Sequence, residues 1–134
     1  MWIYADLLLG GVYLDKRTER LDAIRSDFEN CKKAMATIGN KTRQAIIIAL
    51  VETTYDSGMR LGEISRRTNL SKPTVSYQLN LLKEANMVRM RKIGTMTFYY
   101  IDMHANFQSV KSLISHLDEA INEFSSNRQD ELGS

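Results

Sequence analysis

The tightest constraint in this 134-residue sequence is the stretch Asn69-Leu70-Ser71-Lys72-Pro73, which reads as the joint between two short helices. Asn69 stands where the chain must reverse, and asparagine tolerates left-handed backbone better than most residues with a Cβ. Ser71 is a good N-cap, and Pro73 fits a first helical turn, where its missing N–H removes no bond. Before the joint, Leu61–Thr68 turns Leu61 and Ile64 inward. After it, a helix from Lys72 to about Ala85 buries Val75, Leu79 and Leu82, spaced i, i+4 and i+7. With those three inside, Ser71, Lys72, Thr74, Ser76, Tyr77 and Gln78 are left at or near its exposed N-terminal end.

The elements around this pair follow from period and punctuation. Asp15 is placed to cap a helix from about 16 to 38, whose apolar residues Leu21, Ile24, Phe28, Cys31, Met35 and Ile38 form a heptad-like stripe ended by Gly39. Asn40 caps a second helix, Lys41 to about Thr54, whose Ala45–Val51 run is apolar nearly all round and so belongs in a core. Tyr55-Asp56-Ser57-Gly58 reads as a loop. Val88–Lys92 and Met96–Ile101 flank Gly94-Thr95 as a hairpin. A last helix, about 106–124, carries Phe107, Val110, Ile114, Leu117, Ile121 and Phe124 in a second heptad-like stripe. The expected fold is mainly α with one β-hairpin, in the order α-α-α-α-β-β-α. Residues 1–15 form an N-terminal extension, 16–124 one domain with one core, and 125–134 a polar tail that frays.

Net charge of +2 conceals a strong asymmetry. Residues 60–100 hold eight basic side chains against two acidic ones, and residues 101–134 hold two against six. That distribution points to a polyanionic partner for the middle segment. Glutamine pairs bidentately with adenine, and threonine or tyrosine meets base edges or the thymine methyl. Lys72, Thr74, Tyr77 and Gln78 therefore suit base readout on double-stranded DNA. Arg89 and Arg91 alternate on one face of the hairpin, with Lys92 near its tip, as phosphate contacts require.

Residues about 33–101 resemble the ArsR family of small winged-helix repressors. The matching stretches are Gly39-Asn40-Lys41-Thr42-Arg43 with Ile46, Ile47 and Leu50; Leu61-Gly62-Glu63-Ile64; Leu70 through Leu79; Leu82 through Val88; and Phe98-Tyr99-Tyr100. The resemblance implies a winged helix-turn-helix whose hairpin is the wing. It also implies a homodimer that represses a promoter and releases it when an effector binds. The two stripes agree with pairing, and Leu21, Ile24, Phe28, Phe107, Val110, Ile114, Leu117, Ile121 and Phe124 are the candidate interface. Two-fold pairing would set recognition helices about one DNA turn, roughly 34–36 Å, apart on a near-palindromic operator.

Asp102-x-His104 and His116-x-x-Glu119 resemble the zinc-type sensor site of some family members, in which the two pairs come from different subunits. Zinc or another divalent metal is the cofactor this would imply, although the histidines stand one residue further apart than in the family pattern. Cys31, the single cysteine, excludes a thiolate-rich site and reads as a buried small hydrophobe. No phosphate loop, nucleophile motif or His-Glu-x-x-His helix is present, so an enzyme is not expected. The apolar opening carries Asp6 and lacks a basic start, which fails the signal-peptide pattern, and no run is long enough to span a membrane. A cytoplasmic transcriptional regulator is the reading. The alternative is a winged-helix protein-interaction module that leaves DNA alone.

Overall fold

The computed structural model of the chain describes residues 11–53 and 57–133. Its elements are α1 (Gly11–Ile38), α2 (Lys41–Val51), α3 (Leu61–Thr68), α4 (Lys72–Glu84), β1 (Val88–Ile93), β2 (Met96–Ile101) and α5 (His104–Gly133). This is the order read from the sequence. Residues 1–10 of the expected extension, Thr54 at the expected end of the second helix, and 55–56 of the expected loop lie outside the described residues.

Local chemistry fixes most boundaries. Asn40 is extended and its side chain accepts from the Arg43 N–H, so it caps α2. Asn69 ends α3 with φ 60°, and Ser71 caps α4 by accepting from the Thr74 N–H. Asn86 closes α4 in the same left-handed region, at φ 58°. There the Met87 N–H donates to the Leu82 carbonyl and the Asn86 N–H to that of Lys83, a Schellman closure with Met87 and Leu82 both in the core. Asn106 of α5 donates to the Asn86 carbonyl at 3.0 Å, and Lys33 of α1 to that of Glu84 at 3.1 Å, which ties down the end of α4.

The hairpin pairs Val88 with Ile101 through to Ile93 with Met96, leaving Gly94 and Thr95 as a two-residue turn. Gly94 has φ +61° and Thr95 does not enter the left-handed region, as a II′ turn requires. Met59 adds a bridge to Tyr99 with two 2.8 Å bonds. The chain reaches that bridge through Gly58 at φ +62°, where a Cβ would stand 2.9 Å from the Phe98 Cβ. Only glycine fits there.

The described residues divide into two compact units, 11–31 with 109–133, and 32–53 with 57–108. In the second unit α2 packs against α3, α4 and β2, and α4 against β1. Ile46, Leu50, Ile64, Val75, Leu79, Leu82, Met87 and Val88 make the core there. In the first unit Ile24, Cys31, Leu113 and Ala120 are buried, with Val110, Leu117 and Phe124 packed against them. The single core expected from chain length is thus two clusters, because the stripes of α1 and α5 build a seam of their own.

Three boundaries differ from expectation. Helix α1 is already helical at Gly11, so Asp15 lies inside it and caps nothing; residues 12–38 hold neither glycine nor proline to stop it. Helix α5 starts at His104 and runs through the polar tail to Gly133, since residues 125–132 offer no breaker. Helix α2 ends at Val51 and is not buried all round: Ile48 is 66% and Val51 63% exposed. A body this small covers one side of α2 and lacks the chain to cover the other. Among the described residues, no helix is long and apolar enough to cross a membrane.

Ile46 and Leu79 are sealed, at 0% and 1% exposure. Ile46→Ala or Leu79→Ala is expected to cost about 2–5 kcal/mol in denaturant unfolding. Ile48→Ala should stay within roughly 0.5 kcal/mol of wild type. Equal losses at Ile46 and Ile48 would contradict the burial described here.

Candidate nucleic-acid interface

Burial of Val75, Leu79 and Leu82 sets the rotation of α4 and therefore what it shows. Lys72, Ser76 and Tyr77 are exposed, Tyr77 to 62%. Ser71 stays within the cap: its hydroxyl donates to Thr74 Oγ1 at 2.8 Å while accepting the Thr74 N–H. Gln78 differs from the exposed reader expected of it. It is half-buried, and Arg43 Nη1 donates to its Oε1 at 3.0 Å.

Beside the start of α4 lies a groove of about 540 Å³, lined by Arg60, Gly62, Glu63, Arg66, Lys72, Thr97 and Tyr99 among others. Three cations against one carboxylate make it electropositive. Its far wall is the hairpin face that carries Thr97 and Tyr99, opposite Lys92 and Met90 in the register. Arg89 and Arg91, opposite Tyr100 and Phe98, are on the other face of the hairpin. Arg89 Nε is also paired with Asp102 at 2.7 Å, which offsets its charge. The wing therefore brings Lys92 onto the strand face that lines the groove and places the two arginines on the reverse.

A helix-turn-helix domain family matches residues 38–91, from the last residue of α1 into β1. An uncharacterized HTH-type transcriptional regulator of Methanocaldococcus jannaschii is 34% identical over 92 residues, covering 69% of this chain and 96% of that one. The transcriptional repressor SdpR of Bacillus subtilis is 26% identical over 86 residues, 64% of this chain and 91% of its own. An ArsR-like transcriptional regulator from Rhodococcus sp. RHA1 superposes with a TM-score of 0.63 at 17% identity, over 76% of this chain and 92% of that one. The chain belongs to the helix-turn-helix transcriptional regulators, and it has the winged-helix fold of the ArsR-like structure. It is a DNA-binding regulator and not an enzyme, α3 and α4 are its helix-turn-helix, and β1–β2 is its wing.

The four candidate metal residues of this helix-turn-helix regulator belong two to each unit. Asp102 and His104 belong to the unit of residues 32–108, where Asp102 holds Arg89 and His104 is the exposed first residue of α5. His116 and Glu119 belong to the other. There His116 Nδ1 donates to Asp27 Oδ2 at 2.5 Å, and Glu119 lies 3.8 Å from Arg20. Among the described residues, no three His, Cys, Asp or Glu side chains of one chain gather as a metal site.

Asp27 is the residue the sequence reading passed over. It is 9% exposed, and Ser112 donates to its other oxygen at 3.0 Å. The His116 hydrogen bond, aided by that of Ser112, holds its carboxyl below the ordinary value in spite of burial. A signal was available: Ile24, Asp27 and Cys31 fall at i, i+3 and i+7, so Asp27 shares the buried stripe and needs a donor. Arg43, Arg60 and Arg66 were also unassigned. Arg43 belongs to the family motif, but its contact with Gln78 spans 35 residues and leaves no local trace.

Proposed function

We propose that the protein is a homodimeric repressor whose α4 enters the major groove of a near-palindromic operator, with Tyr77, Thr74 and Gln78 reading bases. The electropositive groove beside α4 carries this reading. Arg60, Arg66 and Lys72 stand next to the exposed side chains of α4, as phosphate contacts must if the helix is to reach base edges. Lys92 of the wing, on the strand face that lines the groove, adds a contact that strengthens binding without reading sequence. Repression is the role that the Bacillus subtilis relative is named for, and in this chain it would follow from occupancy of a promoter until an effector releases it.

Pairing of two copies is supported by what α5 leaves uncovered. Val110, Leu117 and Phe124 pack within the chain, so only part of the interface expected from the stripe is free. Phe107, Ile114 and Ile121 remain, at seven-residue steps and 47%, 60% and 61% exposed. On α1, Ile24 is buried and Leu21 half-buried, whereas Phe28 and Met35 are 46% and 41% exposed. Such stripes on two long helices suit a second copy of the same helices. A divalent ion as effector would need Asp102 and His104 of one copy with His116 and Glu119 of the other. His116 suits that role chemically, because its Nδ1 bond to a carboxylate leaves Nε2 for a ligand.

Three measurements test these readings. Tyr77→Ala should relax sequence preference, whereas Arg66→Ala or Lys92→Ala should weaken all duplexes about equally and reduce the salt slope by about 1. Affinity that stays flat as salt rises would instead support the protein-interaction module. The double change Ile114→Glu, Ile121→Glu is expected to give monomers in sedimentation, and a persisting dimer would place the interface elsewhere. Zinc added to the operator complex should release wild type and leave His116→Ala bound. Release of both, or of neither, removes the metal set.

A further inference from the structure

Gln78 does not meet DNA as a free amide. Arg43 Nη1 donates to its Oε1 at 3.0 Å, and Arg43 is itself held: Nε donates to the Thr37 carbonyl at 2.7 Å, and its backbone N–H to Asn40 Oδ1 at 3.0 Å. The guanidinium is thus pinned between the end of α1 and the cap of α2. Guanidinium has only donors, so the amide oxygen must face it; the flipped amide would set N–H against N–H. Among the described residues, the Gln78 amide nitrogen bonds to no other group, which leaves its two donors for a ligand.

We infer that Arg43 is a positioning residue that turns Gln78 into a donor and makes it select guanine in place of adenine. Adenine recognition by glutamine uses both amide atoms, the oxygen accepting from N6 and the nitrogen donating to N7. Here the oxygen is engaged by a charge-assisted bond, and the adjacent cation weakens what acceptor capacity it retains. The same cation repels the N6 amino group of adenine and attracts the O6 of guanine. Guanine offers N7 and O6, two acceptors on one edge, to an amide nitrogen with two donors. This reverses the adenine pairing that the residue type alone suggests.

The inference rests on Gln78 lying in the major groove, and the experiment separates the two. Full-length wild type, Gln78→Ala and Arg43→Met are each used to select duplexes from a randomised pool. Wild type should prefer guanine at one position of each half-site by roughly tenfold. Gln78→Ala should lose the preference at that position alone, and Arg43→Met should move it to adenine with every other position unchanged. If Gln78→Ala relaxes no position, the groove placement itself is wrong. If it relaxes one position where wild type already takes adenine, or where Arg43→Met keeps guanine, only the role of Arg43 falls. Should Arg43→Met lose its helical circular dichroism, wild type on 7-deazaguanine duplexes decides. Weakening of about tenfold is expected without N7, and unchanged affinity overturns the inference.

Discussion

The helix α4 lies between two asparagines in left-handed backbone, Asn69 and Asn86, and hides Val75, Leu79 and Leu82 completely or nearly so. The Ser71 cap fixes where the helix begins and Asn86 where it ends, and the buried trio fixes its rotation about its own axis. Each sealed side chain contributes roughly 1.5–3 kcal/mol relative to exposure, so rotating α4 to present another face would forfeit several at once. The side chains left outside are therefore determined by those kept inside. Exposure of Lys72, Ser76 and Tyr77 is a consequence of core packing, and it requires no separate device.

Electrostatics divides the basic middle of the chain into charges that are available and charges that are answered. Arg67 is engaged by Glu52 and Glu63, and Arg89 by Asp102. Arg43 spends its donors on a carbonyl and an amide. Arg60, Arg66 and Lys72 border the groove with Glu63 as the one opposing group. A count of basic residues between 60 and 100 thus overstates the charge offered to a polyanion, and the distribution matters more than the total. Exposed pairs such as Arg67–Glu63 contribute little to stability. Their effect here is to concentrate the unanswered charge beside α4.

Features carried by neighbouring residues were legible from the sequence: the caps at Asn40 and Ser71, the reversal at Asn69, the turn at Gly94 and the inward trio of α4. Each needs only the chemistry of a few consecutive positions. Helix α2 shows the limit of that reasoning, since an all-round apolar run says that a helix can be buried but not on which sides neighbours will arrive. Asp15 shows another, because a capping residue acts only where the chain is not already helical. The site was legible as a patch of side-chain types near Tyr77 and opaque in its couplings. Arg43 with Gln78, and Asp27 with His116 and Ser112, join residues far apart in sequence whose meeting depends on the finished packing.

Asp27 shows what such a coupling does for the seam of α1 and α5. An apolar stripe at heptad spacing is nearly degenerate under a slide of one heptad, since Val110, Leu117 and Phe124 repeat every seven residues. Apolar burial alone would therefore tolerate several alignments of the two helices. A carboxylate in that stripe does not: Ser112 and His116, one helical turn apart on α5, each reach a different oxygen of Asp27. Slid by a heptad, the same carboxylate would be buried without its donors, at a cost that exceeds any gain from leucine packing. The polar cluster contributes register where the hydrophobic residues contribute adhesion. The direction in which Ile114 and Ile121 face, relative to α1, follows from the alignment that Asp27 permits.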